Sequence, residues 1–273
     1  MQHSEPSVAL CLGGMDPSGG AGLLRDVLTL SALGVHPMVI SLAETIQNGL
    51  ACTYIEAPSA SPLLRLEALR PHLSGHWGVK VGLCAVDGDH LRSLVALLRE
   101  MAPPVRIWDP IQAPSVGSRL HSDTGLRRLA GILLSDAEWV VCPNRLEAAA
   151  LMGSQPGDSA VDPERLARPW LDLGARAVWL KGGHDEGTKG GSTQVEDLWI
   201  TRDRVQSLGA GPRLSGERRG TGCTLASAWL GFRLRGMDEV SAALEAVRWL
   251  RGRWGMAFMP GGVGRPCFGP EPS

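Results

Sequence analysis

The sequence predicts one α/β domain, three layers deep, with a mostly parallel central sheet between two layers of helices. Two observations carry that expectation. Apolar, strand-like runs alternate with helix-like segments along nearly the whole chain, which is the pattern of βαβ units. The runs are apolar almost throughout, as strands covered on both faces are. No internal repeat and no Pro/Ser-rich linker divides the 273 residues, so the chain reads as one unit with its core over about residues 8–257.

Each element follows from local pattern. "VALCL" (8–12) is a strand, and a helix around 21–33 is closed by Gly34. "PMVISLA" (37–43) and "CTYIEA" (52–57) are strands flanking a polar elbow, "ETIQNG" (44–49). A helix over 60–73 leads to "WGVKVG" (77–82), one over 88–101 to "VRIWD" (105–109), and one over 123–134 to "EWVVC" (138–142). A helix near 144–152 follows at once. "GSQPGDSAVDP" (153–163) reads as a surface loop, 163–173 as a helix and "AVWLKGG" (177–183) as a strand. "VEDLWIT" and "RVQSL" suit a hairpin ahead of two helices, over about 221–235 and 238–257. The tail, 260–273, is expected to be poorly ordered.

Composition excludes several classes of function. Hydrophobic residues make up 44% and charged residues 20%, as in ordinary globular proteins. A net charge of −1 leaves no basic footprint for nucleic acid or an acidic membrane. No run approaches the ~18 apolar residues of a membrane span. "MQHSEPSVALCLGG" lacks the basic and long apolar regions of a signal peptide. The six cysteines (11, 52, 84, 142, 223, 267) form no CxxC pair and read as free thiols. The seven histidines show no metal-ligand spacing, and no GxSxG elbow occurs. The expectation is a soluble cytoplasmic protein with no nucleic-acid or membrane partner.

In open α/β sheets, ligands bind beyond the carboxyl ends of the strands. Four segments at such places carry chemistry. "MDPSGGAG" (15–22) matches neither a Walker loop nor GxGxxG. Its glycines still let a ligand approach the backbone and leave N–H groups free at a helix start. On that helix Leu23, Val27, Leu30 and Leu33 define an apolar side at about 100° per residue. Asp26 falls within it, with Arg25 and Thr29 turned away. A carboxylate so placed must accept hydrogen bonds, from a ligand or from the turn's own amides.

Gln47, in "ETIQNG", offers an acceptor and two donors, which suits a planar heterocycle with an amine beside a ring nitrogen. Stabilising the turn is the plainer use. Asp109 ends an apolar strand in "DPIQ", well placed for Mg²⁺ held largely by water and phosphates. Asn144 and Glu147, in "PNRLEA", have the spacing of a capping box, which accounts for both without a ligand.

"RRGTGCTLASAWLGF" (218–232) opens a helix that carries no charge from Gly220 to Phe232 and so runs through the core. The amides of Gly220, Thr221, Gly222 and Cys223 then point into a protected place, an anion hole suited to a phosphoryl group. Cys223 sits in the first turn, where thiol pKa values fall. Lys80 and Lys181 close apolar strands and could reach phosphates, but snorkelling is the commoner role of such lysines.

In order along the chain, "GGMDPSGGAG", "TIQN", "VKVG", "DP", "PNRLEAAAL", "LKGGH" and "GTGCTLASA" resemble the hydroxymethylpyrimidine/phosphomethylpyrimidine kinases of thiamine biosynthesis, within the ribokinase-like superfamily. The resemblance implies a ribokinase-like fold, ATP and Mg²⁺ as cofactors, and a homodimer. It implies phosphorylation of 4-amino-5-hydroxymethyl-2-methylpyrimidine and of its monophosphate.

By the same resemblance, Gly14, Asp26, Gln47 and Leu83 hold the aminopyrimidine, with Gln47 on its amino edge. Gly220, Thr221, Gly222 and Cys223 face the γ-phosphoryl group, Cys223 standing where many ribokinase-like sugar kinases place an Asp base. Asn144, Lys181, Gly182, Gly183 and Arg219 lie near the nucleotide, and Asp109 and Glu147 near Mg²⁺.

Three positions depart from the family pattern. No Lys follows Asp109–Pro110 in "IQAPSVGSRL", which bears on the second phosphorylation. Arg219 replaces the usual His before "GTGC" and supplies a positive charge there. Leu83 replaces the usual Met. A pyridoxal/pyridoxine kinase of the same superfamily and a non-catalytic pyrimidine-binding protein are the alternative readings.

Overall fold

The first strand, β1 (Val8–Met15), lies inside the sheet between β2 (His36–Gln47) and β4 (Trp77–Val81), parallel to both. The computed structural model describes residues 6–86, 88–113, 120–152, 162–183 and 193–269. Beyond β4 the parallel ladder continues through β5 (Val105–Trp108), β6 (Val140–Val141) and β7 (Ala177–Leu180). Antiparallel strands finish both edges. On one side β3 (Cys52–Glu56) pairs with β2; on the other, β8 (Gln194–Ile200) and β9 (Val205–Pro212) form a hairpin beside β7. Among the described residues this is a nine-stranded sheet in the order β3-β2-β1-β4-β5-β6-β7-β8-β9.

Successive residues of β1 point to opposite faces and join different cores. Leu10 and Leu12 pack with Leu66 of α2 (Pro62–Leu69), Leu91 of α3 (Gly88–Met101), Leu126 of α4 (Asp123–Leu133), Ala148 of α5 (Arg145–Met152) and Leu166 of α6 (Pro163–Asp172). Ala9 and Cys11 pack with Leu23 and Leu30 of α1 (Gly22–Ala32), Trp229 of α7 (Thr221–Leu234) and Ala242 of α8 (Glu239–Gly252). The three layers are therefore α1, α7 and α8, the sheet, and α2–α6. α7 is buried almost all round, as its uncharged sequence requires, and lies against α1, α8 and the sheet.

Four local expectations are corrected. "ETIQ" is not an elbow: β2 runs through it to Gln47 because β3 pairs with it from Glu44 onward. The turn follows, where the Asn48 carboxamide accepts from the Leu50 and Ala51 amides. The final helix stops at Gly252, and a short 3₁₀ turn spans Trp254–Met256. Arg25 and Thr29 are buried, because α1 is covered by the sheet, by α7 and, at Arg25, by a later segment that a single helical wheel does not include.

That segment is the tail. Residues 260–269 do not fray: β11 (Cys267–Phe268) pairs with β10 (Ala257–Phe258), and Cys267 and Phe268 are buried. The Arg219 amide donates to the Pro266 carbonyl at 2.8 Å, and the Arg25 guanidinium to the Phe268 carbonyl. Residues 270–273, like most of the 153–163 loop and of the segment after Asp109–Pro110, lie outside the described residues.

Candidate active site

The carboxyl ends of the parallel strands open with the N-terminus of α7 onto one cleft of about 860 Å³. One wall comes from β1, β2 and the segment after β4. Gly14, Asp26, Gln47 and Leu83 all line it, together with Thr45 and Lys80. A Cβ on Gly14 would stand 3.0 Å from the Leu83 side chain, so the glycine lets Leu83 lie flat against the strand.

One carboxylate oxygen of Asp26 is committed within the protein. Its Oδ1 accepts from Lys80 Nζ at 2.6 Å and from Ser227 Oγ at 2.8 Å. Burial opposes charge on Lys80, but Asp26 outweighs it, with further help from Cys223 and Asp109, and the lysine stays above its ordinary range. Lys80 does not snorkel. It is buried in the middle of a strand, opposite Cys11 of β1 in the parallel register.

At the other end of the cleft, α7 begins with Gly220 as its N-cap, at φ +73°, and the amides of the first turn carry no side-chain cap. Gly220 needs that conformation: a Cβ would lie 2.3 Å from the Gly20 carbonyl oxygen. Asp109 and Lys181 face this turn. Lys181 Nζ donates to Asp109 Oδ1 at 2.8 Å, and a Cβ on Gly222 would stand 3.3 Å from both Asp109 Oδ2 and Lys181 Nζ. Asp109 Oδ2 is buried with no hydrogen-bond partner. Burial works against the Lys181 charge, and the adjacent Asp109 again prevails and keeps it above its ordinary range.

The capping box forms as its spacing predicts. The Glu147 amide donates to Asn144 Oδ1 and the Asn144 amide to Glu147 Oε2, both at 2.8 Å. Both residues also line the cleft, so the capping box itself forms part of its wall. Burial pushes the Glu147 carboxyl up to about 7, against the pull of Lys181. Among the described residues no three His, Cys, Asp or Glu side chains gather as a metal cage. The unpartnered oxygen of Asp109 and the neighbouring Glu147 fit a hard cation that takes one or two carboxylates and fills its sphere with water and phosphate oxygens.

Three expected residues sit differently from their sequence-based assignment. Cys223 is buried and uncapped by any cation strong enough to ionise it: burial, with Asp26 and Asp109, pushes its thiol up to about 12 against the pull of Lys80. The helix terminus does not lower it. Gly182 does not line the cleft; its amide donates to Asp197 Oδ1 at 2.9 Å, and a Cβ would strike the Glu196 carbonyl oxygen. Arg219 turns towards the opening turn rather than into the cleft. Its Nη2 donates to Asp16 Oδ2 at 2.7 Å and to Gln47 Oε1 at 3.2 Å, and its Nη1 to Ser18 Oγ at 2.9 Å.

Sequence reasoning missed Asp16, Thr45, Ser227 and Asp197 altogether. Asp16 organises the opening turn by accepting from the Ser18 amide and hydroxyl and from the Ala21 amide. Asp197 accepts from Trp179 Nε1 at 2.9 Å as well as from Gly182. A signal existed only for Lys80 and Asp16: a charge inside an apolar run, and an Asp just before Pro-Ser-Gly-Gly.

A parallel sheet whose carboxyl edge carries a buried glycine-rich helix start, faced by an aspartate and a lysine, is the arrangement of a ribokinase-like small-molecule kinase, a phosphotransferase. The family's sequence model, described as phosphomethylpyrimidine kinase, matches residues 16–266, and the chain belongs to that family. The hydroxymethylpyrimidine/phosphomethylpyrimidine kinase of Rhizobium meliloti is 30% identical over 245 residues, 89% of each chain. Its Escherichia coli counterpart is 29% identical over 244 residues, 89% of this chain and 88% of that one.

Among solved structures, the phosphomethylpyrimidine kinase of Clostridium difficile superposes with a TM-score of 0.72 at 23% identity, over 90% of this chain and 98% of that one. The pyridoxal kinase of Staphylococcus aureus does so at 0.80 and 20%, over 97% and 93%. Both likenesses establish the fold.

Proposed function

We propose that this kinase transfers the γ-phosphoryl group of ATP to the hydroxymethyl group of 4-amino-5-hydroxymethyl-2-methylpyrimidine, and then phosphorylates the resulting monophosphate, in thiamine biosynthesis. The observation that carries the reading is the shared cleft. A wall of Gly14, Asp26, Gln47 and Leu83 faces the same space as the uncapped first turn of α7.

In this reading Gln47 and Asp26 orient the ring, and the Gly220–Cys223 amides receive the negative charge of the transferring group. Lys181 lies beside that turn and adds a fixed positive charge. Asp109 and Glu147 would hold Mg²⁺, which supplies charge neutralisation on the phosphates. Cys223 keeps its proton, so its backbone amide and its packing serve the site rather than a thiolate base. That suits phosphoryl transfer through a loose transition state, where positioning outweighs proton removal. Asn144 and Gly183 line the nucleotide side, with Gly182 holding the strand end in place through Asp197. We assign the enzyme to the cytoplasm as a homodimer, in line with the family resemblance. No helix among the described residues is long and apolar enough to cross a membrane.

The likeness to pyridoxal kinases gives the second reading, phosphorylation of pyridoxal in the same cleft. Mass spectrometry of ATP-dependent products decides between them. Hydroxymethylpyrimidine, its monophosphate and pyridoxal are tested separately, each with and without Mg²⁺. Both pyrimidine products are expected, and only with Mg²⁺. Turnover of the alcohol alone would remove the second step, and turnover of pyridoxal alone would overturn the proposal.

A further inference from the structure

Gln47 is held at both ends of its amide. Arg219 Nη2 reaches Oε1 at 3.2 Å, and Nε2 donates to Thr45 Oγ1 at 2.8 Å. Each contact fixes the polarity of the amide independently. Arginine has donors only, so the atom facing it must be the oxygen. The Thr45 hydroxyl spends its proton on the Met15 carbonyl at 2.6 Å, so it can only accept from Gln47. A flipped amide would set N–H against guanidinium and oxygen against an oxygen with no proton to give.

Arg219 is itself fixed. It is 3% exposed, paired with Asp16, and packed into a slot that only glycines leave open. A Cβ on Gly20 or Gly49 would come within 2.6 or 2.7 Å of its Nη1.

The locked amide keeps one acceptor site on Oε1 and one N–H on Nε2 for a ligand. That pair complements an amino group next to a ring nitrogen, as Gln and Asn complement the edge of adenine. Pyridoxal offers the opposite polarity. Aligned through its hydroxymethyl group, it carries a carbonyl where the pyrimidine carries its amine, and a phenolic hydroxyl where the pyrimidine carries its ring nitrogen.

We propose that Arg219 is a specificity-determining residue: by locking the Gln47 amide in one orientation, it makes this cleft prefer an aminopyrimidine over a pyridine aldehyde. The inference rests on the substrate reading above and deepens it. Arg219 is a positioning residue that acts through Gln47, and Thr45 is the other jaw of the clamp.

The test is calorimetric binding of hydroxymethylpyrimidine and of pyridoxal, without ATP, to the full chain and to the variants R219K, T45V, Q47A, R219K/Q47A and T45V/Q47A. R219K keeps a charge for Asp16 but has no fork to span Asp16 and Gln47 together. It should weaken the pyrimidine about tenfold, the size of one well-oriented hydrogen bond, and leave pyridoxal within about twofold. T45V should narrow the preference in the same direction with Arg219 untouched. In the Q47A background neither change should alter the ratio by more than about twofold.

Equal weakening of both ligands by R219K would make Arg219 a prop for the opening turn and overturn the proposal. So would an undiminished effect in the Q47A background. Should R219K not fold, R219Q and R219Q/Q47A take its place in the same cycle, with the same outcomes. Wild-type turnover separates the two readings: if it phosphorylates the pyrimidine while the cycles are additive, only the role of Arg219 falls. A wild type that binds pyridoxal more tightly sinks both.

Discussion

Lys80 Nζ lies 2.6 Å from Asp26 Oδ1, with both side chains shut away from solvent and Ser227 as a third partner. An ion pair so deep is weak evidence for stability when intact, yet breaking it strands a charge. K80M or D26N alone should each cost about 3–5 kcal/mol in urea unfolding. The double variant K80M/D26L should recover most of that loss while abolishing pyrimidine binding. Equal stability of K80M and wild type would mean that Asp26 is neutral in the folded protein.

The two ends of one short motif should fail in different ways. At Gly220, φ is +73° and a Cβ would strike the Gly20 carbonyl, so G220A should lose at least about 1–3 kcal/mol of stability. At Gly222 a methyl group would stand 3.3 Å from the Asp109 and Lys181 side chains, whose tips must shift by a few tenths of an ångström to admit it. G222A should melt close to the wild-type temperature, since the gain of up to about 1 kcal/mol from alanine in the helix offsets that shift. Its kcat should nevertheless fall at least about tenfold, because the methyl occupies the space the phosphoryl group needs. Melting curves and initial rates on the same preparations check both.

Asp109 keeps an unpartnered oxygen beside Gly222, at the α7 end of the cleft, which is the phosphate end in the proposed reading. D109N should therefore lower kcat by at least about 100-fold, the scale of several kcal/mol of lost charge stabilisation. Calorimetric affinity for hydroxymethylpyrimidine should stay within about threefold. A matched loss in affinity would place Asp109 against the ring instead.

Cys223 gives a signed pH effect. Its folded pKa, near 12, lies above the ordinary thiol value of 9.0, so between those limits the folded state holds a proton that the unfolded state has released. Stability from this group is complete below pH 9 and declines as pH rises, at a limiting slope of about 1.4 kcal/mol per unit. Wild type should thus lose more stability than C223A between pH 8 and pH 10. The rate below pH 9 should show no limb from a Cys223 thiolate, which a pH profile of kcat in both proteins checks.

The layers, most of the elements and cleft residues such as Asp26, Gln47 and the Gly220–Cys223 turn were legible because each rests on local pattern, whereas Gly14, Leu83 and Gly183 came only with the family resemblance. α3 is periodic from Gly88 to Met101, and the uncharged run after Gly220 could only be a core helix. Asp26 and Gln47 announced themselves as polar groups at strand and helix boundaries. What the sequence hid were partners brought in by topology. Lys80 meets Asp26 because β4 inserts beside β1, and no spacing rule links positions 26, 80 and 227. The direction of Arg219 was equally illegible, since it depends on a turn some two hundred residues upstream. Cys223 misled for a different reason: the helix-terminus rule holds, but burial beside two carboxylates outweighs it.

The Arg25 guanidinium, at the start of α1, reaches the Phe268 carbonyl of the last described strand across 243 residues, and Asp16 of the opening turn pairs across 203 with Arg219, which bridges to Cys267. A nascent chain therefore makes one jaw of its recognition wall at the outset and then holds it unfinished. Until residue 219 is made Asp16 lacks its guanidinium partner, and until residue 268 is made Arg25 lacks its carbonyl partner. With Arg219 locking Gln47 as proposed, ring selection waits until nearly the whole chain is made, and local melting of that late strand should blunt selectivity before it disturbs the α7 end of the cleft.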